Sequence, residues 1–310
     1  MSGSRRPHPT LAPMQRPRRA AFDPTRRRLL LAGAGGLALA ACGGGGGTAA
    51  PATTTTTQAS RALSLLRVFA PEQPAGVPLR LPLAFAGPEG VPTGDVPDRI
   101  EVRAVPPSGA SLDPVVVQRH GEGIPTPYYP YTSTLDEPGT WQLVISVEGA
   151  ETTTDLTVRP RSELAAVPGP GEALPSIPTP TMADALGVDP LCTATPRCPL
   201  HDVSLDQALA LGKPVVLLVS TPAFCQTAIC GPVLDLLIDR SEALADRATV
   251  IHAEVYTDGT AKETTSTVSA LGLRYEPSLF VAAADGTVQL RLDYTFDAVE
   301  LDDALAATAS

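Results

Sequence analysis

The chain has 310 residues, with 23 Lys+Arg against 33 Asp+Glu and a formal net charge of -10. Eight arginines and one acidic residue, Asp23, precede residue 42, which leaves 15 basic against 32 acidic residues in the remainder. Phosphate recognition needs cationic density, so this balance excludes nucleic acid and argues against polybasic attachment to a membrane. The 33 prolines and the 4% aromatic content point to extended segments and β-structure joined by linkers, and the length suits two modest domains.

First in chain order comes a leader. Arg-rich segments near Met1 and Met14, either of which could start translation, run into Thr25-Arg26-Arg27-Arg28-Leu29-Leu30, and an apolar run of thirteen residues then extends from Leu29 to Ala41. That length falls within the roughly 7 to 15 residues of a signal h-region and short of the ~20 that span a bilayer. Thr25 to Leu30 resembles the twin-arginine export motif, which implies export in a folded state. Leu39-Ala40-Ala41-Cys42 resembles a bacterial lipobox, which implies a diacylglyceryl group on Cys42, and two buried acyl chains anchor a protein stably. Residues 1–41 are therefore expected to be a signal peptide and Cys42 the lipidation site, holding the chain at the extracytoplasmic face of a bacterial cell membrane. Residues 42–60 include five consecutive glycines and a Thr run, a composition that cannot bury a core and predicts a flexible tether.

Residues 61–160 offer seven short β-type runs between Pro/Gly turns: 63–70, 77–86, 99–105, 115–120, 128–135, 140–148 and 152–158. Their spacing predicts a β-sandwich. Asp136-Glu137-Pro138-Gly139-Thr140-Trp141, followed by Leu143, Ile145 and Val147, resembles the late turn and strand of immunoglobulin-like domains, although this region has no cysteine for an inter-sheet bridge. Tyr128, Tyr129 and Tyr131 are expected in the sandwich core. Residues 161–188 are rich in Pro, Gly and Ala without periodicity and predict a second linker.

From residue 189 the pattern alternates. Ser204 is a plausible N-cap for a short helix that Gly212 ends, and Pro214-Val215-Val216-Leu217-Leu218-Val219 reads as a fully buried strand. A helix to about Ala248, a strand at 249–256, a helix near 264–271, strands at 278–283 and 287–292 and a final helix from Asp297 follow. This order predicts a central mixed sheet flanked by helices over residues 189–310. Acidic residues from Asp297 to Asp303 read as a solvated helix face.

The segment Gly272-Leu273-Arg274-Tyr275-Glu276-Pro277-Ser278-Leu279-Phe280-Val281 resembles the part of thioredoxins that sets a cis-proline beside the active-site disulfide, and Asp285-Gly286 fits the hairpin turn that follows. Phe224-Cys225 and Pro232-Val233-Leu234-Asp235 are similar to the aromatic residue, first cysteine and kinked helix of that family. The resemblance covers about residues 203–307 and implies an α/β thioredoxin-like domain, which would follow the immunoglobulin-like β-sandwich expected at 61–160. It further implies that Cys225, at a helix start that favours the thiolate, attacks a disulfide, that Cys230 resolves the mixed disulfide, and that Pro277 presents backbone to the bound chain. Thiols or disulfides of exported proteins would be the partners, with no cofactor.

Three positions depart from that family. Four residues separate Cys225 from Cys230 instead of two, and on a regular helix that offset puts the Cα atoms roughly 8 to 9 Å apart, so a bridge requires the first turn to be unwound. Val219 stands where thioredoxins bury an acid, and Glu276 precedes the proline, where a carboxylate would oppose a thiolate on Cys225. The same spacing occurs in one peroxiredoxin class, which Thr221-Pro222-Ala223-Phe224-Cys225 resembles with one residue too many. A non-catalytic surface lipoprotein, with both cysteine pairs structural, is the competing reading.

Apart from Cys42, the cysteines form two neighbouring pairs, and proximity in a Pro-rich stretch predicts a structural disulfide between Cys192 and Cys198. His201 follows Cys198 by three positions, which raises a copper or zinc site. Such a site lacks an evident fourth ligand, because His252 lies on a predicted strand with no visible approach, so no metal is expected.

Overall fold

The computed structural model describes residues 63–309. The signal segment, Cys42 and the tether lie outside the described residues. Among the described residues no helix is long and apolar enough to cross a membrane.

Strands dominate. The first eight are β1 (Ser64–Arg67), β2 (Glu72–Pro74), β3 (Pro78–Ala86), β4 (Arg99–Val105), β5 (Val115–Gln118), β6 (Tyr129–Thr134), β7 (Gly139–Val147) and β8 (Ala150–Arg159). They form a three-stranded sheet, β1-β3-β6, and a five-stranded sheet, β2-β8-β7-β4-β5. Alternation decides which side chains meet between the sheets: Ile100, Val102 and Ala104 from β4 and Trp141, Leu143 and Ile145 from β7 share one core with Leu81, Leu83, Tyr129 and Tyr131. The β7–β8 hairpin is closed by Glu148 and Gly149, both at positive φ (49 and 87°), the turn that matches the twist of paired strands.

The later elements are α1 (Leu205–Ala210), β9 (Val215–Val219), α2 (Cys230–Leu244), β10 (Thr249–Ala253), α3 (Ser266–Ala270), β11 (Ser278–Ala282), β12 (Val288–Asp293) and α4 (Ala298–Ala306). A mixed sheet runs in the order β10-β9-β11-β12, with β10 parallel to β9 and the other pairs antiparallel. Every residue of β9 is buried because the sheet is covered on both faces. Val216 and Leu218 pack with Val233, Leu234 and Leu237 of α2 and Leu301 and Leu305 of α4, whereas Val215, Leu217 and Val219 pack with α1 and the α3 region.

Residues 161–188, expected as a linker, are instead fastened to this sheet. Gly171 and Leu174 donate backbone hydrogen bonds to Val288 and Gly286 (2.8 and 2.9 Å), Arg291 reaches the Val167 and Pro168 carbonyls, and Val167 and Leu174 enter the core. Single anchors of this kind leave no periodic trace in a sequence.

A buried polar joint connects the sandwich to the mixed sheet, and the described residues fall in one compact unit. Arg80 on β3 pairs with Glu300 on α4 and donates to the carbonyls of Asp293 and Thr295 (3.1 and 2.6 Å). Tyr128 donates its hydroxyl proton to Glu300 and accepts from the Asp297 N–H at 3.0 Å, so it faces this joint. Asp297 caps α4 and accepts the Gly121 and Glu122 N–H groups at 2.9 and 3.2 Å. Burial pushes its carboxyl up, and hydrogen bonds from Glu300, Gly121, His120 and Glu122 outweigh that and hold it below the usual range. The acidic stretch from Asp297 is thus divided: Asp297 and Glu300 hold the joint, while Asp302 and Asp303 are exposed.

Candidate functional site

Two groups of cysteines lie in the mixed-sheet region, and all four thiols are free. The first follows β9. The chain leaves the sheet at Ser220, and the Thr221 carbonyl accepts from the N–H groups of Phe224 and Cys225 (3.3 and 3.0 Å), closing a turn that brings Cys225 to the surface of the core. A second turn, with Ala228 at φ 55°, then leads to Cys230, the first residue of α2. Cys225 therefore precedes the helix rather than starting it. That arrangement removes the obstacle of the four-residue spacing, since the two cysteines never share a helical turn.

Four groups converge on the Cys225 sulfur. The Cys230 N–H, an unpaired amide at the helix start, donates to it at 3.3 Å, and the Thr227 hydroxyl lies 3.5 Å away. Hydrogen bonding from the Cys230 thiol, then from Thr227 and the Cys230 and Ile229 amides, outweighs burial and lowers Cys225 to about 5. Cys230 is pushed the other way, first by that hydrogen bond to Cys225 and then by its complete burial. The half-buried member is thus the one favoured as a thiolate and the fully buried member the one favoured as a thiol.

Glu276, joined to Pro277 by a cis peptide bond, adds an acid. Burial and then the charge on Cys225 raise its carboxyl, and the charge of Glu276 in turn helps to raise Cys230. This carboxylate, expected to oppose the Cys225 thiolate, itself gives way, because four hydrogen-bond donors favour the sulfur anion. Phe224 meets Tyr256 edge to face at 6.0 Å beside the pair. Val219 packs in the opposite core, among α1 and β10 residues. Thr221, the residue a peroxide-reducing site would use, has a buried hydroxyl without a hydrogen-bond partner among the described residues, so that hydroxyl makes no hydrogen bond to the Cys225 sulfur.

The second group gathers Cys192, Cys198, His201 and His252, with one ligand-type atom of each lying within 4.8 Å of the others. Cys192 and Cys198, expected as a disulfide, are separate thiols here. Cys198 Sγ lies 3.1 Å from His201 Nε2 and 3.4 Å from His252 Nδ1; Cys192 Sγ lies 3.8 Å from His252 Nδ1, and the two ring nitrogens are 3.3 Å apart. A hydrogen bond from Cys198, aided by His201 and His252, outweighs burial and holds Cys192 far below an ordinary thiol, while the same bond to Cys192 and then burial drive Cys198 up.

His252, with no approach visible in the sequence, joins the group from β10. Its neighbours on β10, Ile251 and Ala253, point into the core shared with α1, so His252 points to the opposite face, and the Pro-rich segment folds over that face. The His252 N–H donates to the Leu200 carbonyl at 2.9 Å, which docks the segment on the sheet edge. Thr193 ties the two groups together: its hydroxyl donates to buried Glu254 at 2.6 Å and accepts from the Ala223 N–H at 3.1 Å, two residues before Cys225.

No protein-family model matches the sequence, and no curated protein matches it. Among solved structures, Salmonella alpha-2-macroglobulin reacted with methylamine is similar over 31% of this chain at 19% identity, with a TM-score of 0.26. The Lin-41 filamin domain is similar over 31% of this chain and 91% of its own length, at 13% identity and a TM-score of 0.24. This chain spans 6% of the macroglobulin's length.

Proposed function

We propose that the protein is an extracytoplasmic thiol-disulfide oxidoreductase of thioredoxin-like fold, preceded by an immunoglobulin-like sandwich and anchored through a lipid on Cys42. The observation that carries this reading is the asymmetry of the pair: a half-buried Cys225 lowered to about 5 beside a fully buried Cys230 held in its protonated form. Cys192 and Cys198 are driven apart in the same way, but both are buried, whereas Cys225 is only half-buried. A nucleophile and its resolver require that asymmetry, because the attacking thiol must be ionised and within reach while the second waits.

In the reduced enzyme the Cys225 thiolate attacks one sulfur of a disulfide in an exported protein. A bond forms between them, and the other substrate sulfur departs as a thiolate and takes up a proton. Cys230 then loses its proton and attacks Cys225 Sγ, releasing the second substrate sulfur and leaving a Cys225–Cys230 disulfide; the substrate has gained two electrons and the enzyme has lost two. Glu276, coupled electrostatically to both thiols, is the carboxylate placed to influence that second proton transfer.

Measuring the reduction potential of this pair and thiol exchange by the wild type and Cys225→Ser tests the reading. Exchange that Cys225→Ser abolishes, with a potential above about -300 mV, supports it. A potential below that value with no exchange marks a structural bridge and leaves the surface lipoprotein reading in its place.

A further inference from the structure

We propose that Cys192, Cys198, His201 and His252 form a closed tetrahedral site for one zinc ion, which fastens the Pro-rich segment to the edge of the mixed sheet. Zinc bonded to sulfur at ~2.3 Å and to imidazole nitrogen at ~2.0 to 2.1 Å sets ligand atoms apart by roughly 3.3 Å (N to N) and 3.5 Å (N to S) in a tetrahedron. The corresponding separations here are 3.3 Å between the ring nitrogens and 3.1, 3.4 and 3.8 Å between nitrogen and sulfur. Four of the six edges of such a tetrahedron are thus in place, and the two from Cys192 to Cys198 and to His201 are no longer than 4.8 Å.

The proton position of His252 agrees, while His201 Nδ1 is buried without a hydrogen-bond partner among the described residues. His252 Nε2 lies 3.2 Å from the Ser220 carbonyl oxygen, which can only accept, so Nε2 carries the hydrogen and Nδ1 turns its lone pair towards the two sulfurs and His201. A metal-bound imidazole is commonly held in just this way by a carbonyl behind it. The Ser220 hydroxyl adds a second contact to the same nitrogen at 2.9 Å. All four side chains are buried, His252 at 0% and His201 at 1% exposure, so no open position remains for a water or substrate. Two thiolates, two neutral imidazoles and one divalent ion sum to zero charge, which suits a site where an unbalanced charge is costly. These properties describe a structural zinc site and not a catalytic one.

The ion would also steady the other cysteines. Ser220 precedes Thr221, whose carbonyl anchors Cys225, and Thr193, next to Cys192, holds the Ala223 N–H. The zinc assignment does not depend on the redox reading, since it uses none of the same donor atoms.

Elemental analysis of the full chain, purified under reducing conditions and dialysed against trace zinc, tests the site, together with substitution by cobalt. The expected result is one zinc per chain in the wild type and in Cys225→Ser, with loss of that zinc in Cys198→Ser and His252→Ala. Cobalt in the wild type should give the visible bands of tetrahedral Co(II) and the charge-transfer band of two thiolates, a readout that stands even if a variant fails to fold. Wild-type protein that takes up neither ion, or copper found in place of zinc, overturns the proposal. So does a Cys192–Cys198 disulfide that persists by peptide mapping in protein made with zinc present, or metal that is lost in Cys225→Ser alone.

Discussion

Cys198 and Cys225 adjoin the same core of the mixed-sheet region, yet their sulfurs meet different surroundings. Around Cys198 are another thiol and two imidazoles, fully buried and behind a folded-over segment. Around Cys225, itself only half-buried, are a hydroxyl, two backbone amides and one buried thiol. The difference teaches that cysteine chemistry is set by which donors the backbone delivers. Imidazole lone pairs at the corners of a tetrahedron suit a cation, whereas N–H and O–H groups aimed at one sulfur suit an anion that attacks.

The largest effect that would sharpen this contrast comes from Cys225→Ser, which should reduce disulfide exchange to the uncatalysed rate in a reductase assay while zinc content stays unchanged. Loss of both would merge the two groups into one. Next is Cys230→Ala, which removes the leading contributor to the low Cys225 value; the Cys225 titration should move up by roughly 1 to 3 pKa units, followed by alkylation rate against pH. Ser220→Ala acts on the other group alone. It should weaken zinc binding by about 10-fold in a chelator competition, since the carbonyl behind His252 remains, and leave the Cys225 titration in place. Smallest is Thr227→Val, which removes one hydrogen bond to the thiolate and should raise Cys225 by about one unit or less, read by the same alkylation profile.

Regular patterns made much of the sandwich legible. Ile100, Val102 and Ala104, or Trp141, Leu143 and Ile145, announce their inward face by alternation, and the continuous apolar run of β9 announces burial on both sides. The three residues of β2 do not, because Glu72-Gln73-Pro74 carries no apolar face and gains its place only by pairing with β8. The Pro-rich segments at 161–201 mislead for a related reason: their anchors are isolated backbone hydrogen bonds and single side chains, and neither has a period.

At the candidate sites, residue type was readable and geometry was not. Cys192, Cys198 and His201 sit close in sequence, but His252 lies 51 residues beyond His201, and its role depends on which face of β10 it occupies. A signal for that face was present in Ile251 and Ala253, whose apolar side chains flank His252. Its meaning needed the partner segment. Cys225 was placed on a helix that in fact begins five residues later, at Cys230, because a turn with a left-handed alanine at 228 has no signature that distinguishes it from a first helical turn.

The central claim is that the loop before α2 makes Cys225 a thiolate at neutral pH. With a folded-state value below the ordinary thiol, the thiolate should be fully formed above about pH 6 and be lost as pH falls through about 5. The direct measurement is the rate of iodoacetamide modification of Cys225 in the reduced chain from acid to alkaline pH, with the site of modification mapped by mass spectrometry. A half-maximal rate near pH 5 is the predicted result, and a midpoint near the ordinary ~8.5 would contradict the account.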